Sequence, residues 1–244
     1  MTDLPRPRRL RADAARNRDQ ILRAAVDLLV EVGPTVALEA VAKRAGVSTA
    51  TLYRHFPDRA VLLRHVAVDL LEQSATAAQV EEADAFTALA AYLHTAIDLR
   101  MGVIMPMLAD VIAGDDQLFA ARDEARRSLA ALVRAAHDEG SLRPDVGPGD
   151  IGLLVIRLAQ PLPVPIVAAA NHRLSHRHAE LVLDGLLRFL AVDSLRDRPL
   201  ALDELDPVPS DGDEPVWVDP RGYWGEPGVT PAADSEDRSR RTGS

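Results

Sequence analysis

Cysteine is absent from the 244-residue chain, and aromatic residues make up only 4% of it. Without cysteine, the chain can form neither a disulfide framework nor a zinc site built on thiolates. With few aromatic residues, its core must consist mainly of Leu, Val and Ala, and a hydrophobic content of 47% is enough for a core of considerable size. The composition therefore predicts one or two globular domains held together by aliphatic packing.

Several sequence patterns are also missing. The apolar stretch closest to membrane-spanning length, residues 151–170, is interrupted by Arg157 and three prolines. The basic N-terminus is not followed by the apolar segment of a signal peptide. Strand-like alternation and internal repeats do not appear. We therefore predict an all-α cytoplasmic protein that has no membrane partner.

Charge is distributed unevenly along the chain. Residues 1–60 hold 11 Arg and Lys against 7 Asp and Glu, a net charge of +4, whereas the whole chain carries −9 and the remainder therefore −13. This asymmetry indicates an electropositive contact region on an acidic body. Residues 1–16 are rich in arginine and lack helical spacing before Ala14. We interpret them as a flexible basic arm that contacts DNA, with Arg11 as one contact; an inert leader is the alternative.

Helical periodicity accounts for most of the chain between Ala14 and Ala191. Turn residues divide this region, and Asp58 and Asp84 are predicted N-caps. From Val192 onward Pro, Asp, Glu, Gly and Ser dominate, so residues 196–244 are predicted to be a largely disordered acidic tail. The predicted helices cover residues 14–32, 38–45, 49–56, 59–78, 85–100, 103–113, 116–139, 150–160 and 175–191.

The stretch Leu38–Phe56, LEAVAKRAGVSTATLYRHF, predicts two short helices joined by a tight turn. Gly46 can adopt positive φ and close the first helix, and Ser48 is a suitable N-cap for the second. A short helix, a glycine-containing turn and a second helix form a helix-turn-helix, whose second helix can enter the DNA major groove. The predicted DNA contacts in this stretch and in the arm are Arg11, Lys43, Ser48, Thr49, Ala50, Thr51, Tyr53, Arg54 and His55.

The motif AGVSTATLYRHFPDRAVLL, preceded by ILRAAVDLLVEVG, closely resembles the N-terminal domain of the TetR family of transcriptional regulators. The resemblance implies a DNA-binding domain over residues 17–63 and a helical effector-binding and dimerisation domain over residues 64–195. It also implies that Tyr53 and Arg59 contact phosphate. The chain departs from the family pattern at Ala37, where the family usually has a Thr or Ser that caps the second helix; Thr35 is a possible substitute.

By the same resemblance, the last long helices pair with their copies in a homodimer, and an effector binds among the preceding helices. We expect no cofactor and an effector that the sequence does not identify. The predicted pocket is lined by Phe86, Leu89, Tyr92, Met101, Met105, Met107 and Phe119, although core packing is the alternative for each. The predicted dimer interface comprises Leu183, Leu186, Leu187 and Leu190.

These predictions combine into a repressor that an effector releases from a palindromic operator. Alternatives are a regulator whose second domain binds a protein or no ligand, and a helical enzyme. The chain shows no nucleophile motif, phosphate loop or metal signature that favours an enzyme. His172 and His176 are four residues apart, a spacing that can hold a metal. Since the sequence places no acidic partner beside them, we interpret His172, His176 and His178 as a solvated helix end and predict no metal site.

Overall fold

The computed structural model describes residues 6–80, 82–108, 116–160 and 168–187, with side chains from residue 14 onward and from residue 170 in the last segment. These residues form α-helices and no β-strand, which confirms the all-α prediction; a single isolated bridge joins Leu142 to Leu187. The helices are α1 (Arg6–Val32), α2 (Leu38–Ala45), α3 (Thr49–His55), α4 (Arg59–Ala77), α5 (Ala85–Asp98), α6 (Met101–Met107), α7 (Asp116–Asp138), α8 (Pro148–Ala159) and α9 (Ala168–Leu186).

Two helix starts differ from the predictions by more than two residues. Helix α1 begins at Arg6 and not near Ala14, so residues 6–16 are helical and not a flexible arm. Pro7 is compatible with this because proline is tolerated in a first helical turn, and the arginine, leucine and alanine residues that follow are mostly good helix formers. Helix α9 begins at Ala168 and not at Ser175. The predicted acidic tail, residues 196–244, lies outside the described residues.

The predicted helix ends form through local hydrogen bonds. The side chains of Ser48, Asp58 and Asp84 accept hydrogen bonds from the backbone N–H groups of Thr51, Val61 and Thr87, which confirms all three N-caps. Gly46 closes α2 with φ of 69°. At the other end of α2, the N-cap Ala37 makes no side-chain hydrogen bond, as its missing hydroxyl requires. Helix α2 therefore begins without the stabilisation that α3, α4 and α5 receive.

The first apolar core lies beneath the helix-turn-helix. It joins α1, α2, α3 and α4, and extends to α6 and α7. The most extensive contact between two helices is that of α4 with α7. Helix α4 also runs through residue 63, the predicted domain boundary. The DNA-binding helices are thus built on a helix that continues into the second domain. The largest fully buried side chains of this core are Ile21, Leu29, Leu52, Phe56, Leu62, Ile104, Leu108 and Leu118.

The second apolar core is formed by α5, α7, α8 and α9. Leu89, Leu93 and Ile97 supply the inward face of α5, and Met101 packs against both cores. Among the described residues, no single helix has the length and apolar character needed to cross a membrane. The bent pair of α5 and α6, which meet at 56°, passes that test on length and composition alone.

Candidate functional site

Helices α2 and α3 form the predicted helix-turn-helix. Leu52 and Phe56 are fully buried and attach α3 to the first core. Because Leu52 holds one face of this seven-residue helix against the core and Phe56 follows directly after it, the opposite face must point away from the core. The Ser48 Oγ accepts the Thr51 N–H at 3.1 Å and lies 2.8 Å from the Thr51 Oγ1, which fixes the first turn of α3.

The outward face of α3 carries the predicted DNA-contacting residues. Ser48, Thr49, Ala50, Tyr53 and Arg54 are exposed, as is Lys43 of α2. Thr51, His55 and Arg59 are half-buried, and the Arg11 side chain lies outside the described residues. Small side chains at the start of α3 leave room for the edges of bases, and the later polar groups can reach phosphates. Six of the ten predicted contacts are therefore exposed, five of them within or directly before α3.

Arg54 lies along α3. Its Nε donates to the Ala50 carbonyl and its Nη2 donates to the Thr51 Oγ1, both at 3.2 Å. These bonds are exposed and tie the guanidinium to the first turn of the same helix.

Tyr53 has a partner that the sequence did not indicate. Its hydroxyl donates to the Glu39 Oε1 of α2 at 2.9 Å. This hydrogen bond raises the pKa of Tyr53. The pKa of Glu39 is lowered, first by its own backbone N–H and then by the Tyr53 hydroxyl. An exposed carboxylate therefore lies beside a residue expected to contact phosphate, where its negative charge opposes DNA binding.

The two cations of α2 differ in their surroundings. Arg44 forms a bidentate pair with Glu31 of α1, with N–O distances of 2.9 and 2.6 Å. The hydrogen bond to Arg44 lowers the pKa of Glu31, and the pair links α2 to α1. Lys43 is exposed on the same helix. At the start of α4, the Nε of Arg59 is buried and lacks a hydrogen-bond partner in the described part of the chain.

The predicted effector-binding residues do not line a single cavity, because they belong to two different cores. Phe86, Leu89 and Tyr92 pack in the second core, whereas Met105 packs against the first core and only Met101 contacts both. Tyr92 is buried, and its hydroxyl lies 3.2 Å from the Ser74 Oγ. Met107 is half-buried, and Phe119 is 48% exposed. Helical periodicity identified inward-facing residues correctly for α5, but it could not distinguish a core from a pocket.

The predicted dimer interface requires correction. Leu183 and Leu186 are buried in the second core of their own chain, with 6% and 8% exposure, so they offer almost no surface to a partner. Leu187 takes part in the bridge to Leu142, and Leu190 lies outside the described residues. The face of α9 that packs on α5 and α8 is the one we assigned to the dimer. Leu181, which is 60% exposed, lies on another face.

The predicted solvated helix end is wrong for two of its three histidines. His172 and His176 are half-buried and face the end of α5, where both Nε2 atoms approach the Asp98 Oδ1 at 3.2 and 2.9 Å. The Nδ1 atoms of His94 and His176 are 2.7 Å apart. Burial lowers the pKa of His94 and of His172. Only His178 is exposed.

Comparisons with known proteins match two regions of the chain. Residues 21–66 match the family model of bacterial regulatory proteins of the tetR family, and residues 84–188 match the C-terminal domain of SbtR-like transcriptional regulators. The HTH-type transcriptional repressor LfrR of Mycolicibacterium smegmatis is 32% identical over 139 residues, which is 55% of this chain and 70% of LfrR.

Two solved structures share the fold. The TetR transcriptional regulator SCO0520 from Streptomyces coelicolor is 31% identical, with a TM-score of 0.53 over 70% of this chain and 98% of that one. LfrR from Mycobacterium smegmatis in complex with proflavine is 24% identical, with a TM-score of 0.51 over 68% and 95%. LfrR and SCO0520 are both transcriptional regulators. This chain belongs to the TetR family and is a DNA-binding transcriptional regulator of the repressor type.

Proposed function

We propose that the chain is a homodimeric cytoplasmic repressor that binds a palindromic operator and leaves it when a small-molecule effector binds its C-terminal domain. The observation that carries the DNA-binding part is the exposed face of α3. Leu52 and Phe56 hold the opposite face in the core, and Ser48 fixes the first turn. A rigid, short helix with small residues at its start is suited to entering a major groove.

Two-fold symmetry follows from the proposed dimer. Two copies of α3 would read two half-sites about one helical turn or more apart.

We place the dimer contact on the exposed side of α9 around Leu181, since Leu183 and Leu186 are buried in the chain's own core. Leu181→Glu should then weaken association, because a charge placed in an apolar interface lacks a partner. Val80→Glu, at a residue 48% exposed outside α9, is the matched control. Sedimentation that shows an unchanged dimer in Leu181→Glu would move the interface elsewhere.

Within the helix-turn-helix, side chains that read the base sequence can be distinguished from side chains that bind phosphate. Arg59→Ala should weaken binding to operator and random DNA alike and lower the salt slope by about one, because phosphate contacts carry little sequence information. Thr49→Ala should instead relax the preference at one base pair per half-site, worth about 1–3 kcal/mol per mismatch. Arg127→Ala removes the same charge from the surface of α7, where Arg127 pairs with Glu124, and serves as the control.

The measurement is fluorescence anisotropy at several salt concentrations, with a selected operator, its single-base variants and a random duplex. The wild type should prefer the operator over the random duplex, and its affinity should fall steeply with salt. Equal affinity for both duplexes at every salt concentration would refute operator binding. A change of preferred base in Arg59→Ala would mean that α3 is oriented differently from our proposal.

Effector binding has support from a relative. LfrR is a repressor, and its structure contains proflavine. An effector that binds one dimer geometry more tightly than the other would shift the protein away from the DNA-bound state. Met101 packs against both cores. A rearrangement of the second core on effector binding would therefore reach the first core through this residue.

One observation favours the alternative in which the second domain binds a protein or no ligand. Leu89 and Tyr92, two of the predicted pocket residues, are buried in the core, with 1% and 5% exposure. A thermal-shift screen with a metabolite library separates the two possibilities. An effector present at 100 times its Kd should stabilise the protein by about 2.7 kcal/mol and raise the Tm, and it should release the labelled operator. A compound that raises the Tm without releasing operator would not be the effector.

A further inference from the structure

Three side chains from two helices converge at the end of α5. Asp98 is the last residue of α5, whereas His172 and His176 are one turn apart on α9. Their three ligand atoms, one carboxylate oxygen and two imidazole nitrogens, all lie within 4.8 Å of one another. We propose that Asp98, His172 and His176 form a binding site for a divalent transition-metal ion of the zinc class.

The spacing of the ligand atoms fits such an ion. Zinc in proteins is bound by imidazole nitrogens and carboxylate oxygens at about 2.0–2.2 Å in a tetrahedral arrangement, which puts neighbouring ligand atoms about 3.3–3.5 Å apart. The Asp98 Oδ1 is 3.2 Å from the Nε2 of His172 and 2.9 Å from that of His176. These two distances need to lengthen by only a few tenths of an ångström to admit the ion, and the two imidazole nitrogens lie within 4.8 Å of each other. Water or an external ligand would supply the fourth group.

The two histidines differ at their second ring nitrogen. The Nδ1 of His172 is buried and has no hydrogen-bond partner among the described residues, so its Nε2 is the nitrogen that can bind an ion. The Nδ1 of His176 is hydrogen-bonded to the Nδ1 of His94 at 2.7 Å, and the two ring planes lie within 15° of each other with centroids 5.0 Å apart. Metal-bound histidines commonly hold their other ring nitrogen in such a hydrogen bond, which fixes the tautomer and the ring orientation. His94 is therefore a positioning residue for His176.

The site is accessible to solvent on the side of Asp98, and its two histidines are half-buried between α5 and α9. The side chain of Asp98 is 57% exposed, whereas those of His172 and His176 are 31% and 25% exposed. An ion can enter from solvent while the histidines remain supported by the protein. Arg100, whose charge acts on His172, opposes a cation, so Arg100→Ala should tighten metal binding. A bound ion would fasten the end of α5 to α9 in place of the present hydrogen bonds.

Transition metals of the first row share a preference for this ligand set, and harder ions do not. Two imidazoles and one carboxylate suit Zn²⁺, Co²⁺ and Ni²⁺, whereas Mg²⁺ prefers oxygen ligands and water. The probes are therefore ZnCl₂ and CoCl₂, with MgCl₂ as the negative control. The protein is the full chain without a histidine tag, freed of metal by a chelator and dialysis.

Titration calorimetry with ZnCl₂ should give one ion per chain, and CoCl₂ should produce the visible absorption of a low-coordinate cobalt centre. Zinc should also raise the Tm, since the three ligands are brought together only in the folded state. Asp98→Asn, His172→Ala and His176→Ala should each abolish binding at one ion per chain. His94→Ala should weaken it about 10–100-fold, as expected for an outer hydrogen-bond partner. His178→Ala, on the exposed side of α9, should bind as the wild type does.

Several outcomes would overturn the proposal. If the wild type binds neither Zn²⁺ nor Co²⁺ at one ion per chain, the three residues are only a hydrogen-bonded set. If binding persists in a His172→Ala, His176→Ala double variant, or is lost equally in His178→Ala, the ion binds elsewhere. Circular dichroism of each variant establishes that it is folded, and the wild-type cobalt spectrum tests the site without any substitution.

Discussion

Gly102→Ala tests how tightly α6 packs against α8. Gly102 is the second residue of α6 and is buried. A Cβ at this position would lie 2.7 Å from the Ile156 Cα, 2.7 Å from the Val155 carbonyl oxygen and 2.8 Å from the Ile156 carbonyl oxygen. All three atoms belong to the backbone of α8, so no side-chain rotation can relieve the overlap. The helices must move apart.

Two opposing effects determine the magnitude. Alanine is a better helix former than glycine by up to about 1 kcal/mol, whereas overpacking a buried contact costs about 1–3 kcal/mol. Because the overlap is with backbone, we expect the cost to lie in the upper part of that range and the net loss to be about 1–2 kcal/mol. For a chain of this size, such a loss lowers the Tm by about 2–8 °C.

The assay is urea unfolding followed by circular dichroism, at one protein concentration because association contributes to apparent stability. Gly185→Ala is the matched control. Gly185 also lies in a helix, but in the described part of the chain nothing beyond its chain neighbours and its own helix backbone lies within 4 Å of the position that a Cβ would occupy. This variant should gain about 0.5–1 kcal/mol. Before unfolding, both variants are shown to have the same oligomeric state in solution as the wild type. A Gly102→Ala variant as stable as Gly185→Ala would refute the close approach of α6 to α8.

Three further variants test the helix-turn-helix. Ser48→Ala should destabilise the chain by about 1 kcal/mol in the same urea assay, because α3 loses its N-cap; an unchanged midpoint would mean that the hydrogen bond to Thr51 contributes nothing. Ala37→Ser should stabilise by about 0.5–2 kcal/mol by supplying the cap that α2 lacks, and a loss of stability would show that this position is not an accessible N-cap. Glu39→Gln removes a negative charge beside Tyr53 and should strengthen binding to operator and random DNA alike in anisotropy titrations. Tighter binding to the operator alone would indicate a contact that reads sequence.

The helix-turn-helix could be predicted because its determinants are local. Gly46 closes α2 and Ser48 caps α3 through hydrogen bonds that span three to five residues. Asp58 and Asp84 act in the same way on α4 and α5. Such contacts depend on residue type and spacing, and both are visible in the sequence. The start of α1 was missed because the arginine-rich segment before Ala14 lacks the apolar spacing of a packed helix, although residues with good helix propensity can be helical without such spacing.

The second domain was harder to predict because the direction of an apolar face does not reveal its partner. Leu183 and Leu186 were correctly identified as apolar positions of the last helix, yet they pack into the core of their own chain. Leu89 and Tyr92 likewise belong to a core and not to a shared pocket with Phe119. Periodicity reports that a residue is turned inward, and core, pocket and interface residues all satisfy that condition.

By itself, the sequence determined the all-α class, the helix-turn-helix with its exposed contact face, and membership of a regulator family, since these depend on neighbours within one or two helical turns. Only the tertiary structure decided which distant groups meet. It placed Glu39 against Tyr53, and it placed Asp98 against His172 and His176, which are 74 and 78 residues away along the chain. Contacts of this kind depend on how whole helices cross and pack, and helix packing is set by the combined shape of many side chains.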